Sequence, residues 1–194
     1  MIAIDIDEPQ TLPTTLQTVD EFEAWTREPG NDGSYEFVRG RIIPKPGMKQ
    51  NEFDLADFLQ RQFSQTAAYG QKHLLLPEGD SYVDDKRKRI PDLTYITAEQ
   101  RQAIRRGERV NTLFAIEILS DSETHEDVLD KITERGPQDY FDGGTQLVWY
   151  IIPKKQKIHA YTSPDDIKVF KGTETISAAP VLPEFSFAVA DLFA

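Results

Sequence analysis

The stretch RKRIPDLTYIT, residues 87–97, decides how the chain is read. Four consecutive cations, Lys86 to Arg89, lead through Ile90 and Pro91 to Asp92, and then to the apolar run LTYI. A proline pushes the residue before it toward extended backbone, and the β-branched and aromatic residues after it favour a strand. The same chemistry returns in NTLFAIEILS, residues 111–120, a compact apolar strand with the carboxylate of Glu117 in its middle. Residues 98–109 between them read as a polar connecting helix.

Glu117, flanked by Phe114, Ala115, Ile116, Ile118 and Leu119, stands where an unpaired charge costs several kcal/mol. Taken singly, each acid has an ordinary explanation: Pro-Asp is common turn chemistry, and a strand tolerates one solvent-facing or ion-paired residue. Together they say more. They lie 25 residues apart (117 − 92) across a helical connection, so their strands can run side by side with both carboxylates on one face. Two converging hard oxygen donors suit Mg²⁺ or Mn²⁺, and a divalent cation is the usual reason to tolerate adjacent like charges. On the following helical stretch, DVLDKITE supplies Lys131, with Asp127 and Glu134 on the same face. That lysine is either a member of ordinary surface ion pairs or the cation that would orient a water beside the acids.

Working outward, Thr18 with Glu21 three residues on is a capping box that starts a short helix. YEFVRGRIIPKP alternates as a strand pair turning near Arg39 and Gly40. NEFDLADFLQRQFSQTAAYG places its apolar residues along one helical stripe and is expected to form a single helix ending at Gly70. HLLLPEGDSYVDD and IPDLTYIT read as two strands joined by the basic turn Lys86 to Arg89. Beyond residue 122 come a polar helical region with Pro137 at a kink or a second start, the hairpin TQLVWYIIP and KIHAYTS, two shorter strands, and an alternating tail. This order predicts an α/β (α+β) domain, a mixed sheet flanked by helices.

Composition sets the outer limits. The chain has 194 residues, and we expect an acidic leader over 1–17 and a single domain over 18–194. No run approaches the roughly 18 to 20 apolar residues of a membrane span, and the N-terminus lacks signal-peptide chemistry. A cytoplasmic protein is the expectation. There is no cysteine, which excludes disulfides, a thiol nucleophile and thiolate zinc sites. His73, His125 and His159 show no zinc spacing. The net charge is −11, of which residues 1–36 supply −8 through nine acids against Arg27 alone. The acidity argues against a nucleic-acid partner, but Lys86, Arg87, Lys88 and Arg89, and the set Arg101, Arg105, Arg106 and Arg109, are local cationic concentrations that could meet phosphates.

A Pro-Asp followed by a Glu in an apolar strand is similar to the PD-(D/E)xK nuclease pattern, although Leu119 fills the lysine slot two residues after Glu117. The landmarks YEFVRGRI (35–42), RIPDLTYI (89–96), AIEILSDS (115–122), Lys131, YFDGGTQLVWYI (140–151) and VLPEFSFAVADLF (181–193) more closely resemble the bacterial family of putative restriction endonucleases within that superfamily. The resemblance implies a restriction-endonuclease-like fold and metal-dependent hydrolysis of DNA. It assigns Asp92 and Glu117 as ligands of Mg²⁺ or Mn²⁺ and moves the lysine to a helix, where Lys131 matches. Glu36 becomes a further acidic member, the Ile118 carbonyl an extra ligand, and Lys86 to Arg89 phosphate contacts. A homodimer is expected by analogy, since cutting both strands takes two sites. The chain departs from the family pattern at the turn SDS, which lacks a proline. Gln50 and Asn51 stand where relatives place a histidine, and the stretch between Lys131 and Tyr140 is longer. Those departures keep a second reading open, a nuclease scaffold whose site has decayed into a binding or assembly module, beside a third, an oligomerisation-driven structural protein.

Overall fold

The computed structural model describes residues 12–120 and 137–194. Helix α1 (Val19–Thr26) starts at the Thr18–Glu21 capping box, with both reciprocal hydrogen bonds made. The hairpin β1 (Tyr35–Val38) and β2 (Arg41–Pro44) follows. Its two-residue turn puts Arg39 at φ 48° and Gly40 at φ 85°, the left-handed conformation that matches the twist of antiparallel strands.

The stretch expected as one helix forms two, α2 (Gln50–Ser64) and α3 (Ala67–Gly70). Thr66 is the reason: its hydroxyl accepts from Tyr69 N and donates to Phe63 O, so one side chain ends the first helix and caps the second. The region expected as two strands holds four: β3 (Leu74–Pro77), β4 (Ser81–Asp84), β5 (Arg87–Arg89) and β6 (Leu93–Ile96). The basic run is therefore a strand and not a turn. Its two arginines, buried two residues apart, are accepted into β5 because carboxylates meet them: Asp84 from the preceding strand, and Asp142 and Glu36 from distant parts of the chain, a tertiary compensation that local sequence does not display.

Helix α4 (Ala98–Arg105) leads to β7 (Phe114–Ile118), and α5 (Pro137–Asp142) to β8 (Leu147–Ile152). A 3₁₀ turn over Pro153–Lys155 joins β8 to β9 (Lys157–Ser163). The chain closes with β10 (Asp166–Lys171), β11 (Thr175–Ala178), β12 (Leu182–Ala188) and α6 (Val189–Leu192). No helix among the described residues is long and apolar enough to cross a membrane.

These strands form a six-stranded sheet in the order β10-β9-β8-β7-β6-β3, a four-stranded sheet β2-β1-β5-β4 and the pair β11-β12. The six-stranded sheet is mixed, with β7 and β8 parallel and its other neighbours antiparallel. One of its faces carries Phe114, Ile116, Trp149 and Ile151 against Leu55, Leu59 and Phe63 of α2 and Phe185 of β12. The opposite face is narrower and more polar, with Ala115, Val148, Tyr150 and Tyr161 packed beside Tyr140 of α5. The four-stranded sheet buries Phe37 and Ile42 under Phe22 of α1.

Candidate active site

Register settles which acids face each other. Strands β6 and β7 pair Leu93 with Ile116, so one step further Asp92 lies opposite Glu117. On the other side of β7, the parallel ladder sets Glu117 beside Tyr150. In the four-stranded sheet β1 pairs Phe37 with Lys88, which places Glu36 opposite Arg89 one step on. Lys45 follows β2 directly, held between Pro44 and Pro46, and its N–H donates to Ser34 O at 2.8 Å. The two sheets bring these groups together around a cavity of about 330 Å³, into whose lining enter Glu36, Lys45, Glu52, Asp92, Glu117 and Tyr140.

The hydrogen bonds are directional. Asp92 Oδ2 accepts from Ile118 N at 2.6 Å and Asp92 Oδ1 from Lys45 Nζ at 2.7 Å. Glu117 Oε1 accepts from the Tyr140 hydroxyl at 2.5 Å, while its Oε2 lies 3.8 Å from Lys45 Nζ. Each acid thus has one oxygen fixed by the fold and one turned toward the same ammonium. Glu36 differs: Oε2 accepts from Arg89 Nη1 at 3.1 Å and Oε1 from Ile90 N at 2.9 Å, a buried pair behind the first two acids.

Burial and the neighbouring acids set the charge states. Burial pushes Glu117 up to about 7, and Asp92 and Glu36 add to this, although Lys45 and the Tyr140 hydrogen bond oppose it. For Lys45, burial alone would lower the pKa, but Glu117 and Asp92 more than reverse that, and the ammonium is held firmly protonated. Burial, then Glu117, raises the Tyr140 hydroxyl well above its ordinary value, so it stays a donor.

Among the described residues no group of three or more His, Asp or Glu is arranged to hold a metal. The pair formed by Asp92 and Glu117 nevertheless fits a small divalent cation in its chemistry. Mg²⁺ is commonly held by one or two carboxylates and keeps several waters, and here one oxygen of each acid is directed at a shared cation. Ile118 also lines the cavity. Lys131 lies outside the described residues.

The basic run is arranged differently from a free cationic patch. Arg87 binds Asp84 at 2.6 Å and Asp142 at 2.8 Å, Lys88 binds Asp80 at 2.8 Å, and Arg89 is held by Glu36. Lys86 is the exposed member of the run. Arg109 of the second cationic set bonds Asp20 and Glu23.

Sequence reasoning missed Lys45, Tyr140 as a partner of Glu117, and Glu52. The one local signal for Lys45 is its place between two prolines at the end of the acid-bearing hairpin. Glu52 closes a helix-start hydrogen bond with Lys49 N through Oε2 at 2.7 Å, yet its buried Oε1 has no hydrogen-bond partner among the described residues. A carboxylate at the third position of a helix reads as a cap, and only the cavity beside it adds a second meaning.

The family model of Uma2, described as putative restriction endonuclease, matches residues 19–190, and the chain belongs to that family. No curated protein matches. Among solved structures, the chain is similar to a crystal structure titled as a putative nuclease belonging to DUF820 from Anabaena variabilis, at 21% identity and a TM-score of 0.71, covering 91% of this chain and 97% of that one. That likeness carries the fold.

Proposed function

We propose that this member of the restriction endonuclease family hydrolyses phosphodiester bonds of DNA with the help of Mg²⁺ or Mn²⁺. One observation carries the reading: Asp92, at the entry to β6, and Glu117, on the adjoining β7, each turn one oxygen to a common cation inside a single cavity. Asp92 and Glu117 would hold the metal, with the Ile118 carbonyl as a further ligand. When bound, the metal would lower the pKa of a water and offset charge on the phosphate.

The chain's own groups do the positioning. Ile118 N and the Tyr140 hydroxyl fix the far oxygens of the two acids, so little reorganisation is needed when charge develops. Glu36 and Arg89 form the buried support behind them. Lys45 supplies positive charge within the cavity, and Lys131 is the proposed partner that orients the attacking water. Lys86, exposed in the turn between β4 and β5, would contact a phosphate, and a homodimer would allow both strands to be cut.

A second reading has one specific observation in its favour. An ammonium already satisfies the acid pair, as it would in a scaffold that had given up metal and kept its fold. Incubation of supercoiled plasmid with Mg²⁺ and then Mn²⁺, beside Asp92→Ala and Lys131→Ala proteins, separates the two. Nicking by the wild type that both variants lose supports the nuclease. No cleavage with either metal, at concentrations that permit dimers, supports the decayed scaffold.

A further inference from the structure

We propose that Lys45 is a two-position lysine. Without metal its ammonium bridges Asp92 and Glu117, and when a divalent cation takes those oxygens the ammonium moves to the unpartnered carboxylate oxygen of Glu52. This rests on the metal-dependent reading above and concerns how the cation gains the site.

Three observations converge. The oxygens that Lys45 faces, Asp92 Oδ1 and Glu117 Oε2, are those left over once Ile118 N and Tyr140 have taken the other two. A Mg²⁺ binds carboxylate oxygens at roughly 2.0–2.1 Å, so it would compete for space and by like charge with an ammonium hydrogen-bonded to Asp92 Oδ1 and ion-paired with Glu117 Oε2. Next, the Lys45 backbone is fixed by flanking prolines and by its N–H bond to Ser34, so the movement falls on the four-carbon side chain. Finally, Glu52 lines the same cavity, is 6% exposed, and keeps one buried oxygen without a hydrogen-bond partner among the described residues. Such an orphan is costly where it stands; the Lys49 ammonium of the same cavity donates to Ser120, and the Lys45 ammonium, once displaced from the acids, is the donor proposed to relieve it.

The arrangement predicts opposite signs for two substitutions in one cavity. Lys45→Met removes a competitor and should tighten binding of Mn²⁺, titrated alone by calorimetry without DNA, by about tenfold or more. Glu52→Gln removes the second resting place and should weaken it several-fold in the wild-type background. In the Lys45→Met background Glu52→Gln should have little effect, because the two residues act through one another. If Lys45→Met does not fold, Lys45→Gln, which keeps a donor for Asp92, is titrated with the same expectation.

Unchanged or weaker Mn²⁺ binding by the Lys45 variant would overturn the proposal. So would an equal effect of Glu52→Gln in both backgrounds, which would mark a diffuse field and not a moving ammonium. No Mn²⁺ binding by either wild type or the Lys45 variant would overturn the metal-dependent reading itself and this inference with it.

Discussion

Glu117 is one of the two proposed metal ligands, and its environment gives it a pH signature. Burial, reinforced by Asp92 and Glu36, holds its carboxyl up at about 7, against an ordinary value of 4.5. In this range the folded protein binds more protons than the unfolded chain. Stability therefore decreases as pH rises: the favourable difference is complete below about 4.5 and gone above about 7. Melting temperatures of the metal-free protein should fall across that window, and Glu117→Gln, which can still accept from Tyr140, should flatten the fall. An unaltered profile in the variant would assign the effect to another group. The Arg89–Glu36 pair makes a different prediction. Both side chains are buried, so Arg89→Ala leaves a carboxylate without its charge partner and should cost about 3–5 kcal/mol in urea unfolding. A loss below about 1 kcal/mol would mean that water reaches Glu36 as it reaches a surface pair.

At the scale of elements, the hairpin β1–β2 delivers Glu36 on one strand and Lys45 just past the other, so its turn sets both. Gly40 sits at φ 85° with only Leu16 O, 3.1 Å away, near a would-be Cβ. Gly40→Ala should cost about 1–2 kcal/mol of unfolding free energy through the left-handed backbone. The capping box, the alternating hairpin and the apolar run of β7 were legible because they follow from hydrogen bonds and side-chain periods within a few residues. The break at Thr66 and the strand at Arg87–Arg89 were not. Helical periodicity continues across Thr66, and four cations in a row look like solvated turn chemistry until Asp142 and Glu36 are brought to them from elsewhere in the chain, beside the nearby Asp80 and Asp84.

Across the whole molecule, one packed layer holds the large sheet in place. Trp149 is fully buried, edge-on to Phe114 at 4.9 Å and stacked on Phe185 at 5.6 Å, so it ties β7, β8 and β12 together. Trp149→Ala should remove about 3–5 kcal/mol and lower the melting temperature of the entire domain; a local loss with an intact main transition would show that the layer is not shared. The sequence by itself determined the class of fold, a mixed sheet flanked by helices, and the nomination of Asp92 and Glu117, because apolar period and a misplaced carboxylate are local facts. Only the tertiary structure decided the rest of the cavity. Lys45, Glu52 and Tyr140 belong to three different elements, and each carries an ordinary local meaning: a lysine after a strand, a helix cap, an aromatic on a short helix. Their second meaning is electrostatic, and it arises when folding brings them into one cavity with the same two carboxylates.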